Sequence, residues 1–385
     1  MTDVEQDITI GNPDVVTKYK TAADISNRVL AKVVKLCTDG AKVIDICSEG
    51  DKAINAETKG VYNKGKVIKG VGFPTCISVN NCVCHFSPLP SDPEASATLK
   101  EGDLVKIELG AQIDGYAAFV GHTLVVGASA EKPITGRQAD VMQAAHLALE
   151  AAIRMIKPGG KNMDVTKTVD KIAQAFDTKA VEGMLTHQQE QNIIDGKKTI
   201  ILNPSENQLR DFERVEFAEN EVYAVDILIS SGEGKARNLD TRTTVYKKTG
   251  TRYDLKMKTS RAALSEIQTK FGNFPFSLRD MEDEKKARMG IQECAKHGVV
   301  LPFDVVYDRE GSFVAQFLAT ILLTKNGTLK ITSPLFDQSI VKSDKKLEDE
   351  EILKLIATSL KPSSKSKKKK AKKEGAATEN GKDEE

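Results

Sequence analysis

The amino-acid sequence predicts a mixed α/β (α+β) fold built from two related halves that face each other across a pseudo-two-fold axis. Each half has a carboxylate within an apolar run, Glu108 in residues 104–110 and Asp226 in residues 222–228. The residues upstream that recur 119 positions later are Gly40, Lys42, Asp45, Asp51 and Lys52, as Gly159, Lys161, Asp164, Asp170 and Lys171. A duplication of this length usually folds as two copies of one unit. Because a carboxylate is costly to bury without a partner or a metal ion, the two charges predict a site at the axis.

The first half is predicted to contain two helices followed by strands. Apolar residues at helical spacing indicate helices over residues 25–36 and 43–54, and a strand-rich segment follows over residues 72–126. The second half repeats this order, with helices over residues 138–156 and 165–176. The shared order supports the duplication.

The last third of the chain departs from the repeat. Two helices are predicted, one around residues 264–271 and one over residues 282–297, followed by strand-like runs at 303–307 and 313–323. Two helices followed by a hairpin resemble a winged-helix module inserted before the final strand.

Composition places the chain among globular proteins. It has 385 residues, of which 40% are hydrophobic, and a mean hydropathy of -0.33, which allow two or three domains. No export signal precedes Asp3, and no apolar stretch approaches the roughly 18 residues needed to cross a bilayer. The six cysteines are spaced irregularly, which favours reduced thiols in cytosol or nucleus over disulfides.

The charge is unevenly distributed along the chain. Residues 361–385 hold nine lysines and five acidic residues, whereas 47 basic and 50 acidic residues precede Lys361. A segment with eight lysines among residues 361–373 cannot form a packed core, so a disordered tail is predicted from residue 356 onward. Such a tail is either a solvated segment that aids solubility or, as we favour, a nuclear-import and nucleic-acid-binding segment.

One segment identifies a family resemblance. Residues 73–88, Phe-Pro-Thr-Cys-Ile-Ser-Val-Asn-Asn-Cys-Val-Cys-His-Phe-Ser-Pro, resemble a motif of type II methionine aminopeptidases. Residues 183–188, 222–226 and 231–234, together with the lysine tail, are more similar still to the proliferation-associated, ErbB-receptor-binding protein family, a non-peptidase branch with a peptidase M24-like domain. The resemblance implies a pita-bread (creatinase/aminopeptidase-like) fold with pseudo-two-fold halves around the position of a dinuclear metal site, and with a winged-helix-like insertion.

The resemblance also sets the expected domain boundaries. They are an N-terminal arm over 1–14, a pita-bread domain over 15–355 with halves at about 15–130 and 137–250 plus final strands at 313–355, a helical insertion at about 251–312, and the tail over 356–385.

The metal-ligand pattern of the aminopeptidases is altered at four carboxylate positions. Carried onto this sequence, the first aspartate falls on Glu108 and the glutamate of the second half falls on Asp226, which keeps the charge but changes the reach. The two carboxylates that bridge both metals fall on Phe119 and Leu318, whose side chains cannot bind a metal. A two-metal hydrolytic site needs such bridging anions, so we expect no peptidase activity and no metal cofactor.

Two histidines complete the predicted remnant pocket. His187 matches the histidine ligand in a register that depends on a one-residue gap, and His85 matches the catalytic histidine. The predicted pocket therefore consists of His85, Glu108, Phe119, His187, Asp226 and Leu318. In the alternative interpretation, the two carboxylates are structural and pair with nearby hydroxyls or cations.

A zinc site is the alternative interpretation of the cysteines near His85. Structural zinc usually has two residues between paired cysteines, whereas one residue separates Cys82 from Cys84. On a strand these two residues share a face, so we expect them to fill core space.

The expected partners are ribosomal RNA and the large ribosomal subunit, as the family resemblance implies, with roles in ribosome biogenesis, translation and growth regulation. The candidate phosphate-binding residues are Lys247, Lys248, Lys256, Lys258, Arg261, Lys365, Lys367, Lys368, Lys369, Lys370, Lys372 and Lys373. Protein partners in growth signalling, a monomeric state, no membrane association, and nuclear, nucleolar and cytoplasmic pools are also expected. The alternatives are a DNA-binding or transcriptional cofactor that uses the insertion and tail, and an active metallo-aminopeptidase with an altered site.

Overall fold

The computed structural model describes residues 7–360. Its helices are α1 (Pro13–Leu36), α2 (Val43–Lys59), α3 (Gly136–Met155), α4 (Asn162–Ala175), α5 (Glu206–Asp211), α6 (Lys258–Lys270), α7 (Glu284–Lys296) and α8 (Glu350–Ala357). The strands are β1 (Lys69–Val79), β2 (Cys82–Cys84), β3 (Leu104–Ile113), β4 (Tyr116–Val125), β5 (Lys179–Ala180), β6 (Leu185–Gln189), β7 (Thr199–Ile201), β8 (Val222–Ser230), β9 (Arg237–Asn238), β10 (Val245–Lys248), β11 (Phe276–Ser277), β12 (Val300–Phe303), β13 (Val306–Tyr307), β14 (Val314–Thr324) and β15 (Gly327–Lys330).

The helices begin and end where local chemistry favours it. The side chain of Asn12 accepts a hydrogen bond from the backbone N–H of Asp14, and Pro13 occupies the first helical position of α1. At the other end of the chain, the carboxylate of Asp349 accepts from two backbone N–H groups at the start of α8. The helices predicted over residues 25–36, 43–54, 138–156 and 165–176 are confirmed as α1 to α4, although α3 and α4 each end one residue earlier than predicted.

One antiparallel sheet joins the two halves. Its order is β1-β3-β4-β14-β8-β6-β7, with β15 paired to β14 and β5 paired to β8. The pair β4 and β14 lies at the centre, so the predicted pseudo-two-fold axis runs between these two strands. Helices α1 and α2 pack on β1, β3 and β4, whereas α3 and α4 pack on the strands of the second half. The predicted mixed fold of two facing halves is confirmed.

Successive side chains along each strand alternate between the face of the sheet that the helices cover and the opposite face. In β8, Val225 and Ile227 pack in the cluster under α3 and α4. The intervening Ala224 belongs to a different cluster, with Phe119 and Leu318, on the opposite face of the sheet. This opposite face is the one that carries the predicted site.

The insertion is a small unit with its own core. Helices α6 and α7 pack on each other and on a three-stranded sheet of order β11-β10-β12, in which β10 comes from before the insertion. The helices and sheet agree with a winged-helix-like unit, but the predicted hairpin is wrong. Residues 306–307 pair with β2 and β9, whereas β14 pairs with β4, β8 and β15 in the main sheet.

A buried ion pair fastens the insertion to the first half. The guanidinium of Arg279, between α6 and α7, contacts the carboxylate of Asp51 in α2, and their side chains are 7% and 3% exposed. Asp51 also accepts from the backbone N–H of Thr75 at 2.7 Å, and Arg279 donates to the hydroxyl of Ser87 at 2.8 Å.

Among the helices of the described chain, none combines the length and apolar character required to span a bilayer.

Candidate functional site: a cavity across the pseudo-two-fold axis

Strand register brings the two carboxylate positions into one row. Glu108 on β3 lies opposite Gly121 on β4, Gly121 lies opposite Leu318 on β14, and Leu318 lies opposite Asp226 on β8. Phe119 lies two residues before Gly121 and therefore on the same face of β4. Equivalent strands of the two halves thus place a carboxylate and an apolar side chain on each side of the axis.

This row forms the floor of a cavity of about 250 Å³. All six residues of the predicted remnant pocket line it, namely His85, Glu108, Phe119, His187, Asp226 and Leu318. Phe73, Ile194 and Phe303 are among the apolar side chains that complete the walls. The sequence therefore predicted which side chains meet, while their role stays a prediction.

Asp226 is held by an amide that the sequence analysis did not select. Nε2 of Gln316 donates to both carboxylate oxygens of Asp226, at 3.0 and 3.1 Å. Burial raises the pKa of Asp226 to about 7, although the Gln316 hydrogen bonds oppose the rise. Gln316 lies two residues before Leu318 on β14, so strand parity was the signal that could have identified it.

Glu108 is a buried acid without a strong partner. It is 7% exposed, and its Oε2 has no hydrogen-bond partner among residues 7–360. Burial, together with the charge of Asp226, raises the pKa of Glu108 well above its usual value. The raised pKa favours the protonated form of Glu108, which reduces the negative charge in the cavity.

His85 is fixed in a strained conformation at the cavity wall. Its φ of 64° lies in the left-handed region, and its Nδ1–H donates to the carbonyl oxygen of Asp304 at 3.2 Å. Burial lowers the pKa of His85 to about 4, so the imidazole is neutral at pH 7. Its Nε2 lies 3.9 Å from Oε2 of Glu108, and the ring packs against Phe73 and Phe303.

His187 contributes a second neutral imidazole. It lies on β6 opposite Ala224 of β8, and burial lowers its pKa. Its Nδ1 is buried without a hydrogen-bond partner in the described part of the chain. The two imidazoles thus offer neutral nitrogen atoms rather than cations to the cavity.

The donors in the cavity do not fit a two-metal centre. Between residues 7 and 360, no group of three or more His, Cys, Asp or Glu side chains could hold a metal ion. The positions between the carboxylates are filled by Phe119 and Leu318, which are 5% and 3% exposed, and Asp226 is already bound by Gln316. Two divalent cations would require bridging oxygen donors that these side chains lack.

The cysteines near His85 fill core space, as predicted. Cys82 and Cys84 lie on β2 and are buried, and β2 pairs with β13. Burial raises the pKa of both thiols, which favours the neutral, unreactive form.

The predicted phosphate-binding residues differ in their accessibility. Lys247 is buried in β10 and paired with Asp195, which leaves it unsuited to contact phosphate. Lys256 and Lys258 are exposed beside the start of α6, whereas Arg261 donates to the carbonyl oxygens of Leu255 and Lys256 at 2.8 Å.

The remaining predicted phosphate-binding residues differ in their surroundings. The carboxylate of Glu293 accepts from the backbone N–H groups of Lys256 and Met257, so a protein anion already meets the chain just before α6. Lys248 is half-buried, and the predicted tail lysines, from Lys365 to Lys373, lie outside the described residues.

The central strands of the main sheet come from both halves, and paired helices cover the sheet. Together with a cavity at the axis between the halves, this arrangement defines the pita-bread class. The chain matches the model of metallopeptidase family M24 over residues 17–244 and belongs to this family. A methionine aminopeptidase structure from Thermotoga maritima has the same fold, with a TM-score of 0.56 at 19% identity over 85% of this chain and 99% of that chain.

Relatives with higher sequence identity indicate which branch of the family this chain resembles. The chain is 49% identical to the "Curved DNA-binding protein" of Schizosaccharomyces pombe, over 97% of each chain. It is 46% identical to "ERBB-3 binding protein 1" of Arabidopsis thaliana, over 93% of this chain and 89% of the relative. The structure of a thermophilic Arx1 covers 91% of this chain and 100% of its own, with a TM-score of 0.86 and 39% identity. The predicted resemblance to the ErbB-receptor-binding proteins is confirmed.

Proposed function

We propose that this chain is a non-catalytic protein of aminopeptidase fold that binds ribosomal RNA and the large ribosomal subunit, and acts in ribosome biogenesis, translation and growth regulation. The observation that carries the loss of catalysis is the cavity floor, where Phe119 and Leu318 occupy the space between Glu108 and Asp226. Nuclear, nucleolar and cytoplasmic pools follow from this proposal.

The electrostatics of the cavity support a binding role. Metal-assisted hydrolysis needs anionic ligands that hold a metal ion, and the metal ion lowers the pKa of its bound water. Here the pKa of Glu108 is raised well above its usual value, and both oxygens of Asp226 accept from one amide. A cavity with acids of raised pKa, neutral imidazoles and aromatic walls suits recognition rather than water activation.

The charge distribution supports local contact with RNA phosphates. The core before Lys361 carries a small acidic excess, so the whole surface is unsuited to wrap nucleic acid, whereas the insertion and tail present lysines. Lys256 and Lys258 are the exposed members near α6. The name of the Arabidopsis relative states binding to ERBB-3, which supports a protein partner for this chain.

Co-sedimentation with purified large subunits over a range of salt concentrations tests this proposal. Loss of two phosphate contacts in Lys256→Gln/Lys258→Gln should weaken binding and reduce the salt slope by about 1.5. Lys167→Gln, an exposed change on α4, is the matched control and should have little effect. Co-sedimentation that ignores salt, the two substitutions and removal of the tail would exclude the electrostatic contact.

Two other functions have specific support. The name of the Schizosaccharomyces pombe relative that is 49% identical favours binding to duplex DNA, and comparison of duplex DNA with ribosomal RNA at matched ionic strength separates the two. A relative that is 26% identical is called a probable metalloprotease, which favours an active peptidase. Release of initiator methionine from a peptide by the purified protein with added cobalt or manganese would establish that activity.

A further inference from the structure

A second cavity lies on the helix-covered face of the main sheet, opposite the face that carries the remnant pocket. Its volume is about 280 Å³, and its walls include the end of α1, the end of β4, Met142 of α3 and residues of the segment 335–341. It therefore lies between helices of the two halves. We propose that this helix-side cavity binds a small apolar molecule with a single hydroxyl group that hydrogen-bonds to His122. This site is separate from the proposed RNA contact.

His122 presents an unpaired imidazole nitrogen in the wall of the helix-side cavity. Val120, two residues earlier on β4, packs in the core under α1 and α2, so strand parity directs His122 to the same face. The side chain of His122 is 5% exposed, and its Nδ1 has no hydrogen-bond partner among residues 7–360. Buried polar atoms normally have partners, because an unmade hydrogen bond leaves the cost of desolvation uncompensated. A bound molecule should therefore supply a polar group at this nitrogen.

The charge state of the imidazole selects a neutral ligand. Burial, together with the neighbouring His146, lowers the pKa of His122 to about 4, so the ring is neutral at pH 7. A neutral imidazole has one N–H donor and one acceptor nitrogen, and a hydroxyl group pairs with either because it both donates and accepts. Asp337 also lines the cavity and is exposed, so its charge repels anions. Phosphate and carboxylate ligands are thus disfavoured.

The apolar walls enclose enough room for a small ring system. Ile134, Met142 and Val341 line the cavity, and each of them is 3% exposed. An apolar cavity of about 150 Å³ is sufficient to bind benzene, so this larger volume holds a molecule of roughly 10–14 non-hydrogen atoms. The expected ligand is therefore about the size of a compound with two fused rings.

Water alone fits the helix-side cavity less well than such a molecule. A buried water usually makes about three hydrogen bonds to polar groups of the protein. Two polar side chains of the wall already have partners. The hydroxyl of Thr123 donates to the carbonyl oxygen of Gln316 at 2.7 Å, and the thiol of Cys37 donates to the carbonyl oxygen of Val33 at 3.4 Å. A molecule that buries apolar surface and makes one hydrogen bond, to His122, matches this wall better than water.

The segment 335–341 forms an outer wall that can cover a ligand. Leu335 lines the cavity although its side chain is 48% exposed. The far end of the segment is held in place, because the backbone N–H of Ile134 donates to the carbonyl oxygen of Ile340 at 2.8 Å. A bound apolar molecule would bury part of the exposed Leu335 surface, which favours binding.

Carbon-13 methyl resonances of methionine in the full chain test the site, with 2-naphthol as the probe. Met142 lines the helix-side cavity and Met184 lines the remnant pocket, so their methyl groups distinguish the two sites. 2-Naphthol should shift the Met142 resonance with a Kd on the order of 0.1 mM and leave Met184 unchanged. Naphthalene, which lacks the hydroxyl group, and 2-naphthoate, which is an anion, should bind at least about fivefold more weakly.

Two variants separate the hydrogen bond from the space in the cavity. His122→Phe keeps an aromatic ring and removes the unpaired nitrogen, so it should weaken 2-naphthol binding by about fivefold without lowering the urea midpoint. Val34→Phe adds a ring at a half-buried position in the wall and should abolish binding. Leu36→Phe, a change at a residue of α1 that is 40% exposed, is the matched control and should leave binding unchanged.

The proposal has clear opposing outcomes. It is overturned if 2-naphthol shifts only Met184, or shifts neither resonance at about 1 mM. Equal affinity for 2-naphthol and naphthalene, or an unchanged affinity in His122→Phe, would show that the imidazole does not select the ligand. Binding that survives Val34→Phe would show that the ligand lies outside this cavity.

Discussion

Replacing Arg279 with methionine removes one partner of a buried ion pair and keeps most of the apolar stem. In the native chain, Arg279 contacts the carboxylate of Asp51 and donates to the hydroxyl of Ser87. In the variant, Asp51 retains the backbone N–H of Thr75 as its hydrogen-bond donor. The perturbation therefore isolates a charge between α2 and the insertion.

The expected loss is large for a single substitution. Breaking a buried ion pair costs about 3–5 kcal/mol, because the remaining charge is buried without compensation. With an unfolding entropy of about 2.1 cal/mol/K per residue over about 350 residues, the thermal midpoint should fall by about 4–7 °C.

The loss should depend on pH in a defined direction. Burial raises the pKa of Asp51, and the Arg279 guanidinium opposes that rise. Without Arg279, the folded-state pKa lies further above the unfolded value, so the carboxyl contributes stability at low pH that is lost as the pH rises through the folded pKa. Urea unfolding followed by circular dichroism should show a small difference from the native chain at about pH 4 and the full difference at about pH 8.

Two further variants check the reasoning. Arg237→Met removes an ion pair with Glu233 whose side chains are 52% and 44% exposed, and should cost less than about 1 kcal/mol. Asp51→Leu/Arg279→Met replaces the whole pair with apolar groups and should recover most of the loss. A loss below about 1 kcal/mol for Arg279→Met at about pH 8 would refute the assignment of this pair as an anchor.

Three other predictions concern the cavity. Glu108→Gln should stabilise the fold more at about pH 8 than at about pH 4, since the raised pKa of Glu108 makes its ionisation favour the unfolded chain; a difference that is constant in urea unfolding at both pH values would contradict this. Gln316→Leu should raise the pKa of Asp226 above about 7 in a carbon-13 carboxyl titration, and an unchanged value would show that the amide does not stabilise the carboxylate. Gly110→Ala should cost about 1–3 kcal/mol because a Cβ would collide with the Phe119 ring, and Phe119→Ala should relieve part of that cost, so additive effects in a double-mutant cycle would count against the clash.

The sequence was sufficient to predict the elements that follow from local hydrophobic periodicity and from the internal repeat. Helical spacing located α1 to α4, and the duplication brought Glu108 and Asp226 to equivalent strands. The family resemblance then matched Phe119 and Leu318 to the positions of the bridging carboxylates, and both side chains line the cavity with Glu108 and Asp226. The helices and the repeat depend on periodicity, which a single sequence displays directly.

The errors came from contacts between distant segments. The runs at 303–307 and 313–323 have the pattern of a hairpin, but their partners lie in three different sheets, which local pattern does not encode. The sequence likewise did not indicate that Lys247 is buried and paired with Asp195. A lysine in a strand is expected to be exposed unless its partner is known. Asp51 was noted for its recurrence as Asp170, yet nothing near it in sequence indicated Arg279.

Within residues 7–360, β14 is the last strand but one, and it lies between β4 and β8 at the centre of the main sheet. During chain elongation, β4 and β8 therefore each keep an unpaired edge until residues 314–324 have been synthesised, long after both halves are otherwise complete. Such edges are sites of aggregation. A premature stop codon before Val314 should yield two half-domains that cannot close against each other, rather than a shortened but functional product.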